Sequence, residues 1–232
     1  MYKTLASIYP CPFDSQIRHD LNSALFNKGE IYAYEEGKVS SIKNDGVSSF
    51  PERSLFLGLK ELSLKPSDID LWILSTPNKI DYTRLFLFFK FIKAYQGKKG
   101  KFKKWAKKRI KFVKHHDLHS FSAIKSSGFQ KGFYLNIDGG GDLGDTRHTT
   151  WGTFKNNKLN EYFNLKGLNS IGNFHNFIAE YCGYNDNGKV SGLSGYGKVR
   201  AKLKNELSRL ITVSNKGLFF QSKRFNTTEC IP

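Results

Sequence analysis

Two histidines placed four residues apart precede an aspartate that opens a run of glycines: His115 and His119 lie 23 and 19 residues before Asp138. Residues at positions i and i+4 of a helix are about 5–6 Å apart at Cβ, so both imidazoles can reach one ion. Neutral imidazoles bind Fe, Zn, Cu or Ni, and a carboxylate adds an oxygen ligand. Two histidines and one carboxylate with open positions indicate non-haem Fe(II) or catalytic Zn. Histidines at a helix start or on the surface, without any ligand, are the alternative that this spacing leaves open.

The pattern around the histidines predicts where the pair lies. Residues 110–113 alternate apolar side chains with lysine, as a short strand does, and Leu118, Phe121 and Ile124 then recur at helical intervals. We therefore expect a strand that leads directly into the histidine helix. On that helix, His116 would point away from an ion held by its neighbours and would lie either beside the ligands or at the surface.

The glycine run after Asp138 is the second feature with chemical content. The aspartate closes the apolar run 133–137 and is followed by Gly139, Gly140 and Gly141. Glycines let the backbone approach a ligand without side-chain obstruction. Successive N–H groups in such a turn form a concavity that binds anions such as phosphate. An ordinary glycine-rich hairpin is the alternative interpretation.

The layout of strands and helices occurs twice along the chain. After the glycine run, residues 146–154 and 159–165 read as two strands joined by Asn156 and Asn157, which tolerate the positive φ of a tight turn. The amino-terminal third is predicted to contain strands at 2–9, 21–26 and 31–35, a helix at 51–62 and a buried strand at 71–75. Matching three-strand units, each followed by helices, predict a duplicated α/β domain whose halves face one another across a cleft, with ligands at the strand ends.

Four segments, in this order, resemble the O-carbamoyltransferases that modify nodulation factors, antibiotic sugars and cephem antibiotics. They are the HD and IKND motifs between His19 and Asp45, HHDLHSFSAIKSSGF from His115, IDGGGD around Asp138, and SIGNFHNFIAEYCGYNDNGKVSGLSGYG at 170–197. The resemblance covers most of residues 15–200 and includes the spacing between the segments. It is therefore a resemblance of the whole segment order rather than of one motif.

The resemblance implies an actin-like ATPase (ribonuclease-H-like) fold, related to the tRNA threonylcarbamoyl transferases. In that family a carboxy-terminal domain makes carbamoyl-adenylate from carbamoyl phosphate and ATP. The amino-terminal domain binds a metal and passes the carbamoyl group to a sugar hydroxyl. We accordingly expect a first lobe at 1–114, with a basic segment at 98–114, and the metal-site helix with the start of a second, incomplete lobe at 115–232.

The same resemblance implies roles for individual residues. His115, His119 and Asp138 match the family's metal positions, here for Fe(II) or Zn. His19 and Lys43 match catalytic positions, where a histidine can take the proton of the acceptor hydroxyl and a lysine can stabilise developing negative charge. The positions expected to contact ATP or carbamoyl-adenylate are Gly139, Gly140, Gly141, Lys189 and Gly192.

The resemblance also bears on the length of the chain, because members of the family are more than twice as long. We expect a fragment, a split gene product or an inactive paralogue. The expected function is a carbamoyl-transfer domain that acts on a saccharide acceptor in glycan or secondary-metabolite biosynthesis and needs a separate carbamoyl-adenylate-forming chain. The alternative is a catalytically inactive relative that binds nucleotide, RNA or a partner protein through its basic surface.

The net charge of +17 is concentrated in one segment, since ten of the seventeen residues at 98–114 are lysine or arginine. Phe102, Trp105, Ile110 and Phe112 are interleaved with these charges. The pattern is compatible with a surface for RNA or anionic membranes. It is equally compatible with a solvated insertion that leads into the histidine helix. Specific DNA binding is not expected.

The remaining composition indicates a globular cytoplasmic protein. The three cysteines are scattered and have no CxxC spacing, which predicts neither a disulfide framework nor a zinc knuckle. The chain does not open on a basic region followed by an apolar core, so we expect no signal peptide. Residues 85–95 are apolar but are interrupted by Lys90 and Lys93, and they fall short of the ~20 residues of a membrane span. We expect a buried helix there.

Overall fold

The computed structural model describes residues 3–9, 21–42, 50–75, 82–139, 147–166, 170–184, 187–214 and 217–220. Its strands are β1 (Thr4–Tyr9), β2 (Asn22–Asn27), β3 (Glu30–Glu35), β4 (Leu71–Ser75), β5 (Ile110–Val113), β6 (Lys131–Ile137), β7 (Arg147–Lys155), β8 (Lys158–Lys166), β9 (Ile211–Ser214) and β10 (Gly217–Phe220). Its α-helices are α1 (Glu36–Ser40), α2 (Glu52–Glu61), α3 (Tyr82–Phe91), α4 (Lys99–Arg109), α5 (His115–Ser127), α6 (Ile171–Tyr181), α7 (Asn187–Ser194) and α8 (Ala201–Ser208). The described residues form two compact units, one ending at His115 and the other starting at His116.

The first unit is built on a five-stranded sheet with the order β3-β2-β1-β4-β5. Strands β1, β2 and β3 form an antiparallel meander, and β4 and β5 run parallel to β1. Lys28 and Gly29 both have positive φ at the β2–β3 turn, which matches the right-handed twist of a tight hairpin. A meander followed by parallel strands in this order is the arrangement of a ribonuclease-H-like lobe.

One face of this sheet carries the core of the first unit. Alternate strand residues such as Ala6, Leu25 and Trp72 are buried there together with side chains of α2, α3 and α4. Aromatic rings dominate the contacts, and the Trp72 and Phe89 rings pack edge to face with centroids 5.1 Å apart. The predicted helix at 85–95 is α3. Its Leu85, Phe86, Phe88 and Phe89 are buried as expected, although Leu87 and Phe91 are exposed.

The second unit begins with a second antiparallel meander, β6-β7-β8. Asn156 and Asn157 have positive φ at the β7–β8 turn, as their residue type predicted. Helix α5 packs on one face of this meander, where Ile124, Tyr134 and Phe154 form a small core. Helices α6, α7 and α8 and the β9–β10 hairpin follow.

The α/β class predicted from the sequence is confirmed, and so is its repeated three-strand layout. In both units a hairpin-linked antiparallel meander comes first and helices follow it. Within the ranges that the structure describes, no helix is long and apolar enough to cross a membrane.

Candidate metal centre

The structure brings His115, His119 and Asp138 together. One ligand atom from each side chain lies within 4.8 Å of the other two. Strand β5 ends at Val113 and α5 begins at His115, so the strand leads directly into the histidine helix as the sequence predicted. Asp138 follows the last residue of β6. The i and i+4 positions of one helix therefore meet the end of one strand.

The donor set fits the metals expected from the sequence. It offers two imidazole nitrogens and a carboxylate oxygen, and these are partly exposed, which leaves access for water or substrate oxygen. His119 Nε2 and Asp138 Oδ2 are 3.3 Å apart. A protonated imidazole at this distance forms an ion pair with the carboxylate. Metal binding requires the neutral imidazole, so the ion-paired form and the metal-binding form of this pair differ by one proton.

Three hydrogen bonds fix the orientation of Asp138. Its backbone N–H donates to the His148 carbonyl at 2.8 Å, which extends the β6–β7 ladder by one pair. Its carbonyl accepts from Ser170 Oγ at 3.1 Å. Its Oδ1 accepts from the Gly139 N–H at 2.6 Å. The Oδ2 atom is thereby directed at the histidines. The Gly139 residue was predicted to contact phosphate, and in the structure its N–H donates to the aspartate.

The amino terminus of α6 closes on the Asp138–Gly139 peptide, a contact that sequence reasoning did not predict. Ser170 caps the helix by accepting from the Asn173 N–H at 3.1 Å. A Cβ atom added to Gly172 would lie 2.2 Å from the Asp138 carbonyl carbon and oxygen. Only a glycine allows the helix to approach this closely. Ser170, a residue type favoured at the N-cap of a helix, was the available signal.

A buried polar network holds α5 against β6 and β7. The Asn136 side-chain amide donates to the His116 carbonyl at 3.1 Å, to Ser120 Oγ at 2.7 Å and to Thr150 Oγ1 at 3.0 Å. His116 Nδ1 is 3.2 Å from Thr150 Oγ1. The suggestion that His116 lies at the surface is therefore wrong. It points away from the metal positions, as expected, but into the interior, because α5 turns that face towards the sheet.

A buried arginine anchors the first turn of α5. Arg147, at the start of β7, donates to Glu161 at 2.6 Å and to Asp117 at 3.0 Å. Asp117 lies between the two histidines of the metal position. Burial raises the pKa of the nearby Tyr134 phenol, and the carboxylates of Glu161 and Asp117 raise it further.

The other predicted site residues lie elsewhere or outside the described residues. His19, Lys43, Gly140 and Gly141 lie outside the described residues. Lys189 and Gly192 are exposed on α7. Gly192 has open space around its Cα. Their roles in binding a cofactor stay predictions.

An apolar groove of about 550 Å³ adjoins the metal position. Asp138, Gly139 and Gly172 line one end of it, and the remaining lining residues are mostly apolar: Ile137, Ile171, Phe174, His175, Ile178 and Leu207. His175 Nε2 is 3.1 Å from Ser191 Oγ on α7. The groove offers an apolar surface to a ligand whose polar end reaches Asp138.

The basic segment forms an integral helix of the first unit. Phe102 and Ala106 of α4 enter the core, and Trp105 packs against it. The alternative of a solvated insertion is therefore wrong for the buried face of α4, because Phe102 and Ala106, on successive turns of the helix, are core side chains. Its six lysines are all exposed, and the ammonium group of Lys103 lies 5.6 Å from the centre of the Tyr82 ring.

Comparison with known proteins identifies the family. The family described as "Carbamoyltransferase N-terminus" matches residues 80–229, which is more than half of the chain. The chain therefore belongs to the carbamoyltransferase amino-terminus family, as its motifs predicted. The match includes the candidate metal centre, α6 and α7.

The chain is also similar to individual proteins. An uncharacterized protein of Methanocaldococcus jannaschii is 29% identical over 183 residues, which are 77% of this chain and 32% of that protein. Nodulation protein NolNO of Sinorhizobium fredii is 34% identical over 91 residues, 38% of this chain and 13% of that protein. Among solved structures, YeaZ from Pseudomonas aeruginosa aligns with 11% identity and a TM-score of 0.41, covering 69% of this chain and 64% of YeaZ. The chain thus spans about a third of the methanogen relative.

Proposed function

We propose that this chain is the carbamoyl-transfer domain of a carbamoyltransferase and that it moves the carbamoyl group of carbamoyl-adenylate to a sugar hydroxyl. The observation that carries the proposal is the cluster of His115, His119 and Asp138 in a chain of the carbamoyltransferase amino-terminus family. The apolar groove beside Asp138 adds support, because it offers a surface for the organic part of a substrate at the same place.

The reaction sets clear requirements for such a site. The acceptor oxygen forms a bond to the carbamoyl carbon, and the bond between that carbon and the phosphate oxygen breaks, which releases AMP. The hydroxyl proton must be taken by a base, and negative charge that develops on the carbonyl oxygen must be stabilised. His19 is proposed as the base and Lys43 as the stabilising cation, from their motif positions.

The described residues support the metal-dependent part of this proposal. His115, His119 and Asp138 would hold Fe(II) or Zn. A bound metal supplies Lewis acidity towards a carbonyl or phosphoryl oxygen. Asp138 is held by its three hydrogen bonds, and α5 is held by Asn136 and Arg147, so that the ligand atoms stay in place before any ion arrives. Preorganisation of this kind lowers the cost of binding.

The adenylate is proposed to come from another polypeptide or from a further part of a longer one. The chain covers 32% of the methanogen relative and 13% of NolNO, so most of a complete family member lies outside the aligned region. The proposed partners are therefore a saccharide acceptor and a carbamoyl-adenylate-forming chain.

The test supplies the missing step chemically. The purified chain would be loaded with Fe(II) or Zn and incubated with synthetic carbamoyl-adenylate and a panel of hexose and N-acetylhexosamine oligosaccharides. Mass spectrometry should find a product heavier by one carbamoyl group, and His119→Ala should abolish it. A Lys125→Ala variant, altered at an exposed position of the same helix outside the cluster and the groove, should retain activity. Absence of product with the wild-type chain, or equal product with His119→Ala, would contradict the proposal.

A second candidate function rests on the lysine face of α4. The six exposed lysines form no ion pair with any described residue, while the opposite face of the helix is in the core. Unpaired positive charge on a rigid helix attracts polyanions. This candidate function is binding of RNA by an inactive carbamoyltransferase relative, and salt-dependent RNA binding that is lost on neutralising these lysines would establish it.

A further inference from the structure

Three large apolar side chains are exposed side by side on the helices of the first unit. Phe56 of α2 and Leu87 and Phe91 of α3 are 41%, 58% and 60% exposed. The Phe56 and Phe91 rings pack edge to face with centroids 6.2 Å apart, and Leu87 lies one helical turn before Phe91. These three residues form a contiguous apolar surface, the α2–α3 patch. Exposed apolar residues that adjoin one another mark interaction sites, whereas isolated ones do not.

A groove of about 390 Å³ opens within this patch. Phe56, Phe91 and Pro66 contribute to its apolar lining. Lys65 and Lys93 line the same groove, and both lysines are exposed. Apolar surface and positive charge therefore meet at one place on the first unit.

Two further exposed lysines flank the patch. Lys60 follows Phe56 by four residues, which places both on the same side of α2. Lys90 directly precedes Phe91, and its ammonium group lies 5.7 Å from the centre of the Phe86 ring. Residues 82–114 contain thirteen lysines and arginines and no aspartate or glutamate. The α3 side of the patch therefore belongs to a segment whose formal charges are all positive.

The carboxylates closest in sequence to the patch are engaged elsewhere or shielded. Glu61 accepts a hydrogen bond from the Tyr34 hydroxyl. Asp68 accepts from the backbone N–H of Lys65 at 2.8 Å. Glu52, one turn before the patch on α2, is half-buried, and burial raises the pKa of its carboxyl. The electrostatic character of the patch is thus set by its lysines.

Lys93 occupies a backbone position that favours another residue type. It follows the end of α3 with a φ of 61°, and its N–H donates to the Lys90 carbonyl at 3.1 Å. Glycine is the usual residue in this left-handed conformation after a helix. The backbone therefore gives no reason for a lysine here, whereas the groove places its charge beside apolar surface.

The combination of groups favours a lipid bilayer over RNA. RNA phosphates bind lysines, and bases stack on aromatic faces, but Leu87 offers no such face. An anionic bilayer supplies phosphates for the lysines and an apolar interior for adjoining aliphatic and aromatic side chains. Helix α4 differs in this respect, because its exposed residues are all lysine or glycine.

We propose that the α2–α3 patch binds the surface of an anionic lipid bilayer. Phe56, Leu87 and Phe91 enter the boundary between headgroups and acyl chains, and the lysines at positions 60, 65, 90 and 93 contact lipid phosphates. The α4 lysines are not part of this contact. The proposal concerns where the chain works and stands whether or not it transfers carbamoyl groups.

Sedimentation with lipid vesicles is the first arm of the test. The chain should bind phosphatidylcholine vesicles that contain phosphatidylglycerol and should not bind vesicles of phosphatidylcholine alone. Leu87→Ser should weaken this binding at least tenfold, the effect expected from losing the burial of a leucine side chain. Phe129→Ser is the matched control, because Phe129 is an equally exposed apolar residue of the second unit, 69% exposed. It should leave binding unchanged.

Lys93→Gly separates the charge from the backbone. It should weaken vesicle binding about fivefold, as for one basic residue near an anionic surface. It should not lower the melting temperature, because glycine suits the left-handed backbone at this position. A loss of stability without a loss of vesicle binding would assign Lys93 to the fold and overturn its proposed contact.

Fluorescence is the final arm and reports insertion. The emission of Phe91→Trp, taken as the difference from the wild-type chain, should shift to the blue on phosphatidylglycerol vesicles and be quenched by brominated acyl chains. Phe129→Trp should show neither change. No binding by the wild-type chain, equal losses in Leu87→Ser and Phe129→Ser, or equal responses of the two tryptophan variants would overturn the proposal. So would a Leu87→Ser variant that instead loses binding to an RNA oligonucleotide or turns a dimer of the chain into a monomer.

Discussion

Gly172 illustrates how the candidate metal centre depends on a residue that is not a ligand. Its Cα packs on the Asp138–Gly139 peptide, where any side chain would collide with backbone atoms. Backbone cannot rotate away as a side chain can, so the start of α6 would have to shift. The carboxylate of Asp138 is attached to the backbone of this peptide and would shift with it.

We predict that Gly172→Ala destabilises the chain by about 1–3 kcal/mol, the usual cost of overpacking, and weakens metal binding. Gly192→Ala is the matched control, because its Cα has open space on the helix α7. Alanine there should stabilise by about 0.5–1 kcal/mol through helix propensity. Denaturant unfolding and metal titration of both variants measure these effects. Equal stability of the two variants would contradict the close approach.

The sequence predicted that His115, His119 and Asp138 would lie together, whereas it did not predict the residues that support them. His115 and His119 are related by helical spacing, which is a local property. Asn136 and Arg147 act through partners 14 to 30 residues away, such as Thr150 and Asp117. Those groups come together only when α5 packs on the paired strands β6 and β7, and no local sequence pattern encodes this packing.

At the scale of elements, β1 and β4 are joined by a carboxylate as well as by their ladder. Asp70 Oδ2 accepts from the backbone N–H groups of Lys3 at 2.8 Å and Thr4 at 3.0 Å. The hydrogen bonds from Thr4 and Lys3 lower the pKa of this carboxyl. The bonds favour the ionised form, so the link between the strands depends on pH.

We predict that Asp70→Asn lowers the melting temperature at pH 7 and that the difference disappears in acid. A carboxyl with a depressed folded-state pKa stabilises the fold above its unfolded value, near pH 4, and loses this contribution as pH falls through the folded value. Thermal unfolding between pH 7 and pH 3 measures it. Glu180→Gln, an exposed carboxyl on α6, should have no such effect. A pH-independent difference for Asp70→Asn would contradict the assignment.

Element prediction succeeded where a short apolar run or turn-forming residues marked the element. Strand β4 was predicted with its observed bounds, and the Asn156–Asn157 turn followed from residue type. No secondary structure was predicted from the sequence for residues 187–194, which form the helix α7. Its glycines mask the helical period, and contact with α6 through His175 and Ser191 is tertiary.

At the scale of the whole molecule, six exposed lysines of α4 contribute to the net charge of +17. We predict that replacing Lys101, Lys104, Lys107 and Lys108 with glutamine changes the stability by no more than about 0.5 kcal/mol, as for other surface positions. Binding to RNA or anionic vesicles should also be unchanged if these lysines only solvate α4.

The matched control removes four exposed lysines of the second unit: Lys125, Lys131, Lys155 and Lys158. Both variants lose the same charge, so a difference between them reports the location rather than the net charge. A binding loss specific to the α4 variant, with a reduced salt dependence, would favour the RNA-binding function over the transferase.

Sequence reasoning reached the fold class, the family and the repeat of the meander. It did not reach the exposure of Phe133, Leu135 and Ile137, which belong to the apolar run 133–137. Their exposure depends on what packs on their face of the sheet, which the sequence of the strand does not encode.

Metal content tests the central claim most directly. The purified chain would be analysed for iron and zinc beside His119→Ala and His175→Ala. His116→Ala is unsuitable as a control, because His116 is buried against Thr150. The wild-type chain and His175→Ala should retain about one equivalent, and His119→Ala should lose it, since removal of a ligand weakens the site strongly. Equal metal in all three, or none in the wild type, would contradict the account.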